Sequence, residues 1–224
     1  MGRLAVILGS SAAGPDGGAL AAVATGHGAA VLQRHGSGAA YVLPHRIDHA
    51  ANLRSLAEAG CDRVLAICSV GSLDAELGVG SFVCPHDFIA LQVTVTSFED
   101  TRGHAMPGFD LAWRSEVLAA WDASGAAPLR DGGVYWQANG PRFETPAEIG
   151  LIAAHADLVG MTLASECIVA GELGLPYAAV CVVDNLANGI EEQPLSPEEL
   201  ERHRKRNATH LRDALAAVLP ELSQ

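Results

Sequence analysis

Short apolar runs alternate along the chain with segments of helical periodicity. The runs are rich in Val, Ile, Leu and Ala, and each is short enough for one buried strand. The predicted strands are Leu4–Leu8, Ala29–Gln33, Val64–Ile67, Ser81–Leu91, Val134–Gln137, Leu158–Gly160 and Ala178–Val183. The predicted helices are Ala50–Ala59, Leu111–Ala123, Pro146–Ala154, Ser165–Leu173 and Pro197–Leu219, with either a flexible connection or a weak helix over Gly14–Gly28. This alternation predicts an α/β fold with a mixed or mostly parallel sheet flanked by helices.

Capping residues mark two of the helix starts. Thr145 precedes Pro146 and Ser196 precedes Pro197, so each helix has a side-chain oxygen at its N-cap and proline at its first position. The chain has no internal repeat and no linker long enough to divide it. Residues 1–224 are therefore predicted to form a single domain.

Composition narrows the class of protein. Apolar residues make up 49% of the 224 residues and charged residues 18%, which excludes a disordered chain. The net charge is −12 and there is no basic stripe, so nucleic acid is not an expected partner. No segment has the length of a membrane span, and the start Met1–Gly9 looks like a strand and not a signal peptide. We expect a cytoplasmic protein with no membrane partner.

The five cysteines are odd in number and lack metal-site spacing. They are Cys61, Cys68, Cys84, Cys167 and Cys181, and four of them lie in apolar strand-like or helical runs. We expect buried free thiols and no metal site.

The most informative segment is the run from Asn139 to Ile149, NGPRFETPAEI. It joins a predicted strand to a predicted helix, which is where α/β sheets usually present ligand-binding groups. Phe143 and Glu144 lie on this turn, and an aromatic face beside a carboxylate suits a flat heterocycle with N–H donors. Without further context, an ordinary connection with a solvated glutamate is the alternative.

Other small or polar groups follow predicted strands. Gly9-Ser10-Ser11 can bring backbone N–H groups and a hydroxyl close to an anion. Arg34-His35 can offer a bidentate guanidinium and a further donor. Met161-Thr162 can place a thioether under a sugar and a hydroxyl on an anion. Each motif alone has a structural alternative: a tight turn, a surface pair, or a core methionine with a helix cap.

Taken together, these segments resemble a known family. GPRFETPAE closely resembles the purine-binding motif of the purine nucleoside phosphorylase and methylthioadenosine phosphorylase family, in its trimeric class. RHG at 34–36, VGMT at 159–162 and the Asn-x-x-x-Gly at 185–189 resemble it in the same order. The resemblance implies a mixed, partly barrel-like sheet, a homotrimer, and phosphorolysis of a purine nucleoside. Orthophosphate is then the co-substrate, with no cofactor and no metal.

The resemblance also implies roles for individual residues. Glu144 and Asn185 are expected to be catalytic, because they stabilise charge on the leaving purine. The other implied contacts are phosphate at Ser10, Arg34, His35, Ser69 and Thr162, purine at Phe143, Glu144, Asp184 and Asn185, and ribose at Met161 and Glu166, the latter directly or as support.

Three of the departures from the family pattern lie at or next to candidate site residues. Ser11 replaces a glycine, Cys68 replaces Thr or Asn, and Asp184 stands where Thr or Val is usual. Aligned without a gap, Asn185 reads a 6-oxopurine; shifted by one residue, Asp184 reads an adenine. Glu144 favours the first alignment, because relatives use it on the N1–H of a 6-oxopurine.

The sugar and the catalytic competence leave further alternatives. The place that contacts the sugar 5′ position falls near Ser196 and Leu200, and no histidine occurs in the helix before His203. This favours a 5′-modified ribose such as 5′-methylthioribose. Alternative hypotheses are an adenine-type methylthioadenosine phosphorylase, a member that binds purine nucleosides without turnover, and an enzyme with altered sugar chemistry.

Overall fold

The computed structural model describes residues 2–10, 17–36, 41–191 and 196–223. Within these residues, nine strands form one mixed sheet. The strands are β1 (Arg3–Leu8), β2 (Ala30–Gln33), β3 (Cys61–Ser72), β4 (Phe82–Cys84), β5 (Asp87–Ile89), β6 (Leu129–Asp131), β7 (Val134–Gln137), β8 (Leu158–Gly160) and β9 (Tyr177–Leu186). The helices are α1 (Gly17–Gly26), α2 (His49–Glu58), α3 (Leu111–Ala123), α4 (Pro146–Ile152), α5 (Leu163–Glu172) and α6 (Pro197–Leu222). The predicted α/β class is confirmed.

The long central strand β3 organises the sheet. The order is β5-β7-β8-β3-β9-β4-β6, and β1 pairs with both β3 and β2. β3 runs parallel to β1 and β9, while Gly71 and Ser72 at its end pair with β8 in the antiparallel direction. Because β3 has three partners, the sheet branches and curls into a half-barrel, which confirms the predicted partly barrel-like sheet.

Apolar clusters cover both faces of the sheet. On β3, Leu65 packs in one cluster with Trp113 of α3 and Leu215 of α6. The next residue, Ala66, belongs to the other cluster, with Leu53 of α2. Successive side chains of a strand point to opposite faces, so a strand covered on both sides is apolar throughout. This is why β3 and β9 appear in the sequence as continuous apolar runs.

The predicted strand Ser81–Leu91 is wrong as a single element. It divides at Pro85 into β4 and β5, because proline has no N–H for a ladder hydrogen bond. The two halves pair differently, β4 with β6 and β9, and β5 with β7. β6 is a three-residue strand at the end of the sheet order and was not predicted.

The structure also decides several helix boundaries. Gly17–Gly26 is helical, while Ser11 and the rest of residues 11–16 lie outside the described residues. At α4, the Thr145 hydroxyl accepts from the Glu148 N–H at 3.2 Å, and the Glu148 carboxylate accepts from the Thr145 N–H at 2.7 Å. At α6, the Ser196 hydroxyl accepts from the Glu199 N–H at 3.1 Å. Both predicted N-caps are confirmed.

All five cysteines are buried and unpaired, as predicted. In the described ranges, no helix combines the length and the apolar character needed to cross a bilayer.

Candidate active site

A cavity of about 340 Å³ lies near the carboxyl ends of β1, β2, β3 and β9. Parallel strands bring their carboxyl ends to one edge of a sheet, so residues far apart in sequence meet there. Of the residues that the sequence analysis considered for contact with phosphate, purine or ribose, Glu166 and Asp184 do not line the cavity. The others do: Ser10, Arg34, His35, Ser69, Phe143, Glu144, Met161, Thr162 and Asn185.

Glu166 lies behind Arg34 and holds it. The guanidinium Nε is 2.7 Å from Oε1 of Glu166, and Nη2 donates to Oε2 at 3.0 Å. The Tyr177 hydroxyl also donates to Oε2, at 2.8 Å. Burial disfavours the charge on Arg34, but Cys68 and Glu166 outweigh it and raise the pKa of Arg34 above its ordinary value. Arg34 is therefore a fixed cation, and Glu166 positions it without contacting the cavity.

The other end of the guanidinium faces Thr162 and Cys68. Nη1 donates to the Thr162 hydroxyl at 3.3 Å and to the Cys68 sulfur at 3.4 Å. Because Thr162 Oγ1 accepts from Arg34, its own proton is free to donate into the cavity. A Cβ at Gly9 would lie 2.9 Å from both Nη1 and the Ile67 carbonyl oxygen. Glycine at position 9 therefore lets the cation approach the end of β1, and this part of the cavity suits an anion.

His35 is an acceptor toward the cavity, and not the donor that the sequence suggested. Its Nδ1 is 2.8 Å from the Val42 carbonyl oxygen, and its ring stacks on Tyr41 with centroids 4.7 Å apart. Burial, opposed by the bond to Val42 and aided by the Arg34 charge, lowers the pKa of His35 to about 4. The ring is therefore neutral at pH 7. With its proton on Nδ1, Nε2 offers a lone pair that suits a protonated phosphate oxygen.

A β-bulge separates the roles of Asp184 and Asn185. Val70 pairs with Val183 and Gly71 pairs with Asn185, so the register skips Asp184. A bulge re-aims the side chains on the bulged strand. Asn185 lines the cavity, whereas the fully buried Asp184 does not. This placement favours the ungapped alignment and gives no support to Asp184 as the reader of a base.

Asp184 instead fixes the direction of the Ser69 hydroxyl. Ser69 Oγ donates to Oδ2 of Asp184, and Asn207 of α6 donates to Oδ1 at 2.8 Å. A serine has one proton, so Ser69 faces the cavity as an acceptor. That suits a sugar hydroxyl better than an unprotonated phosphate oxygen.

The opposite part of the cavity offers a carboxylate, an amide and an aromatic face. Glu144 is held through its carbonyl, which accepts from Asn188 Nδ2 at 2.9 Å, and burial raises the pKa of its carboxyl group. Asn185 Nδ2 donates one proton to the Leu186 carbonyl at 2.8 Å, leaving its second N–H and its Oδ1 for a ligand. Together with the half-exposed Phe143, these groups can accept from a ring N–H and donate to a ring carbonyl.

Several lining residues were missed from the sequence. Leu200, expected near the sugar 5′ position, is buried outside the lining, and Arg204, one helical turn later, lines the cavity. The i, i+4 spacing on one helix face was the signal that could have indicated it. Other lining residues that were given no role from the sequence include Tyr41, Leu43, Pro44, Pro141 and Asn188.

The buried histidines predict an acid-sensitive fold. Burial and the nearby Arg34 lower the pKa of His49 to about 4, as at His35, against an ordinary value of 6.5. Between pH 6.5 and 4 the unfolded chain binds more protons, so the free energy of unfolding falls as pH falls. We expect a loss of up to about 3 kcal/mol per histidine by pH 4. The free energy of unfolding, measured by urea titration at several pH values from 7 to 4, tests this prediction.

The control is the exposed His104. His49→Gln should have a shallower dependence of stability on pH than wild type, and His104→Gln should match wild type. Parallel curves for wild type and His49→Gln would refute the assignment.

Comparison with known proteins agrees with this geometry. A family model described as the phosphorylase superfamily matches residues 9–220. An Archaeoglobus fulgidus protein named "probable 6-oxopurine nucleoside phosphorylase" is 43% identical over 179 residues, covering 80% of this chain and 73% of the relative. A Xanthomonas campestris protein named "probable S-methyl-5′-thioinosine phosphorylase" is 33% identical over 217 residues, covering 93% and 83%.

Solved structures show the same fold. Methylthioadenosine phosphorylase from Schistosoma mansoni, in complex with adenine, superposes with a TM-score of 0.82 at 22% identity, over 98% of this chain and 91% of that one. With the family match over nearly the whole chain and a relative at 43% identity, the chain belongs to the phosphorylase superfamily.

Proposed function

We propose that the protein is a purine nucleoside phosphorylase, a pentosyltransferase. The reaction breaks the bond between C1′ of the sugar and the purine nitrogen, and forms a bond from C1′ to an oxygen of orthophosphate. The products are the free base and ribose 1-phosphate. The observation that carries this is one cavity with a fixed cation, Arg34, in one part and the base-directed pair Glu144 and Asn185 in another. The names of the relatives support it.

The anion part of the cavity suits orthophosphate. Arg34 and the Thr162 hydroxyl donate to phosphate oxygens, with Ser10 beside them, and His35 accepts from the protonated oxygen. As the glycosidic bond lengthens, positive charge develops on the sugar, and the phosphate held nearby stabilises it before adding to C1′. This is catalysis by position and electrostatics, with no covalent enzyme intermediate. The route that these residues provide needs no metal and no cofactor besides the co-substrate.

The base part suits a 6-oxopurine. Glu144 accepts from N1–H, Asn185 donates to O6 and accepts at N7 as the base leaves, and Phe143 contacts the ring face. Both relatives described above carry names that refer to 6-oxopurine nucleosides, inosine being one. An adenine-type methylthioadenosine phosphorylase is the second candidate, because the Schistosoma neighbour has that name. A member that binds without turnover is the third candidate, and the departures at Ser11 and Cys68 favour it.

The sugar lies between the two ends. Met161 lines the cavity next to Thr162, and Gly140 packs so closely that a Cβ there would lie 2.6 Å from the Met161 sulfur. We assign ribose contact to Met161 and a sugar hydroxyl to Ser69. Glu166 does not line the cavity, so any effect that it has on the bound sugar comes through Arg34, which it positions.

We also propose a homotrimer in the cytoplasm. Large apolar side chains are exposed at Leu91, Met106 and Leu151, and a subunit interface would cover such groups. Five free thiols suit a reducing compartment. Sedimentation equilibrium should give three times the chain mass of 23.2 kDa. A monomer mass would contradict the trimer.

Phosphate dependence tests the reaction. We expect base release from inosine, guanosine, adenosine and their 5′-methylthio forms to require phosphate, with the 6-oxopurines fastest. Equally fast release without phosphate would make the protein a hydrolase. Saturable nucleoside binding with no release under either condition would make it a binding protein.

A further inference from the structure

The cavity contains a second cation that the proposed reaction leaves unused. Arg204 of α6 lines it, with 30% of its side chain exposed. Its neighbours on the same helix, Arg202 and Lys205, have more exposed side chains and pair with Glu199 at 3.6 Å and Glu201 at 3.5 Å. Arg204 therefore differs from the other cations of this segment, because it faces the cavity.

The buried Nε donor of Arg204 is not satisfied by the described residues around it. Its Nε is 3.8 Å from Oδ2 of Asp184, which is an ion-pair distance and longer than a hydrogen bond. Asp184 already accepts from Ser69 and Asn207. Within the described ranges, the Nε of Arg204 has no hydrogen-bond partner. A guanidinium in this state is ready to bind an anion in the cavity.

The position of Arg204 indicates which part of a nucleoside it would meet. Burial lowers the pKa of His35 and raises the pKa of Tyr41, and the charge of Arg204 acts to lower both. Arg204 therefore lies on the same side of the cavity as these two rings. In the proposed complex, the base and the orthophosphate both meet C1′, and the ring hydroxyls lie toward Met161 and Ser69. The remaining sugar substituent is at C5′.

We propose that Arg204 binds an acidic group on the 5′ carbon, so that the preferred substrate is a purine nucleoside with a 5′-carboxylate or a 5′-phosphate ester. This rests on the proposed function. It replaces the 5′-methylthio expectation, because a thioether is a poor partner for a guanidinium whose Nε lacks an acceptor. A charged contact of this kind is worth about 10- to 100-fold in kcat/KM.

Two other roles for Arg204 give different results. If it only balances the buried charge of Asp184, its loss affects all nucleosides equally. If it binds the orthophosphate, its loss raises the phosphate KM for every nucleoside. The deciding quantity is therefore the ratio of kcat/KM for an acidic nucleoside to that for inosine.

The experiment measures hypoxanthine release at saturating phosphate from inosine, 5′-methylthioinosine, inosine 5′-carboxylate and inosine 5′-monophosphate. The variants are Arg204→Gln, the double variant Arg204→Gln/Asp184→Asn, and Arg202→Gln as the charge-matched control on the exposed side of α6. We expect wild type to prefer one of the acidic nucleosides, and the two acidic substrates distinguish carboxylate from phosphate. In Arg204→Gln and in the double variant, the ratio of kcat/KM for that substrate to kcat/KM for inosine should fall by about 10- to 100-fold. Arg202→Gln should keep the wild-type ratio.

Three results would overturn the proposal: no preference for either acidic nucleoside in wild type, an equal loss on all substrates, or recovery of the ratio in the double variant. If inosine is cleaved in a phosphate-dependent way and no acidic nucleoside is preferred, the proposed role of Arg204 is wrong and the phosphorylase assignment stands. If no nucleoside is cleaved, the phosphorylase assignment is wrong. The role of Arg204 is then tested by calorimetric titration with the same four nucleosides, which gives the ratio of the affinity for an acidic nucleoside to that for inosine.

Discussion

Arg34→Ala is expected to lose phosphate binding and stability together. Arg34 is the fixed cation of the anion part, so its removal should cost about 2–3 kcal/mol of phosphate binding, seen as a raised phosphate KM. It also leaves the Glu166 carboxylate buried without its partner, which costs about 3–5 kcal/mol of folding free energy. Initial rates against phosphate concentration and urea unfolding measure the two losses.

A double variant separates the loss of phosphate binding from the loss of stability. Arg34→Ala/Glu166→Gln removes the stranded charge, so stability should recover in part while the phosphate KM stays high. Arg34→Lys keeps a charge beside Glu166 but loses the planar fork, and should show a smaller rise in KM with near-native stability. An unchanged phosphate KM in the folded double variant would remove Arg34 from the site.

Asn185→Asp is expected to shift base choice from 6-oxopurines toward adenine. Asn185 has a free N–H for the O6 of hypoxanthine, and Glu144 accepts from N1–H. Adenine leaves these groups mismatched, and sites built on such hydrogen bonds can discriminate by on the order of 10²–10⁴ in kcat/KM. An aspartate accepts from the adenine amino group and repels O6. The ratio of kcat/KM for inosine to that for adenosine should fall steeply in the variant.

Asp184→Asn is the matched control, since it makes a similar amide–carboxylate exchange at the adjacent position. Asp184 is buried against Ser69 and Asn207, so this variant should lose about 1–2 kcal/mol of stability and keep the base preference. A wild type that prefers adenosine, and loses that preference on Asp184→Asn, would show that Asp184 is the reader after all.

The order of strands and helices was predictable because it follows from the local periodicity of apolar and polar residues. Val134–Gln137 matched its strand to the residue, and Leu111–Ala123 its helix. The caps at Thr145 and Ser196 were equally local, since a capping bond spans three residues. Groups at strand ends could be expected to converge, as Arg34 and Asn185 do, because the carboxyl ends of parallel strands share one edge of the sheet.

Other features depend on partners that are distant in sequence, and periodicity carries no information about them. Pro85 split a predicted strand because each half had a different neighbour to pair with. Glu166 lies behind Arg34 and outside the cavity. Burial and the charge of Arg34 keep His35 neutral by lowering its pKa.

The adjacent residues Asp184 and Asn185 show the division best. The sequence by itself determined that one of them would face a ligand at the end of β9. The bulge against β3 decided which one, because register is a property of two strands and a shift of one residue exchanges the faces. The packing of α6 against that strand end then placed Arg204 in the cavity, where the sequence had pointed to Leu200.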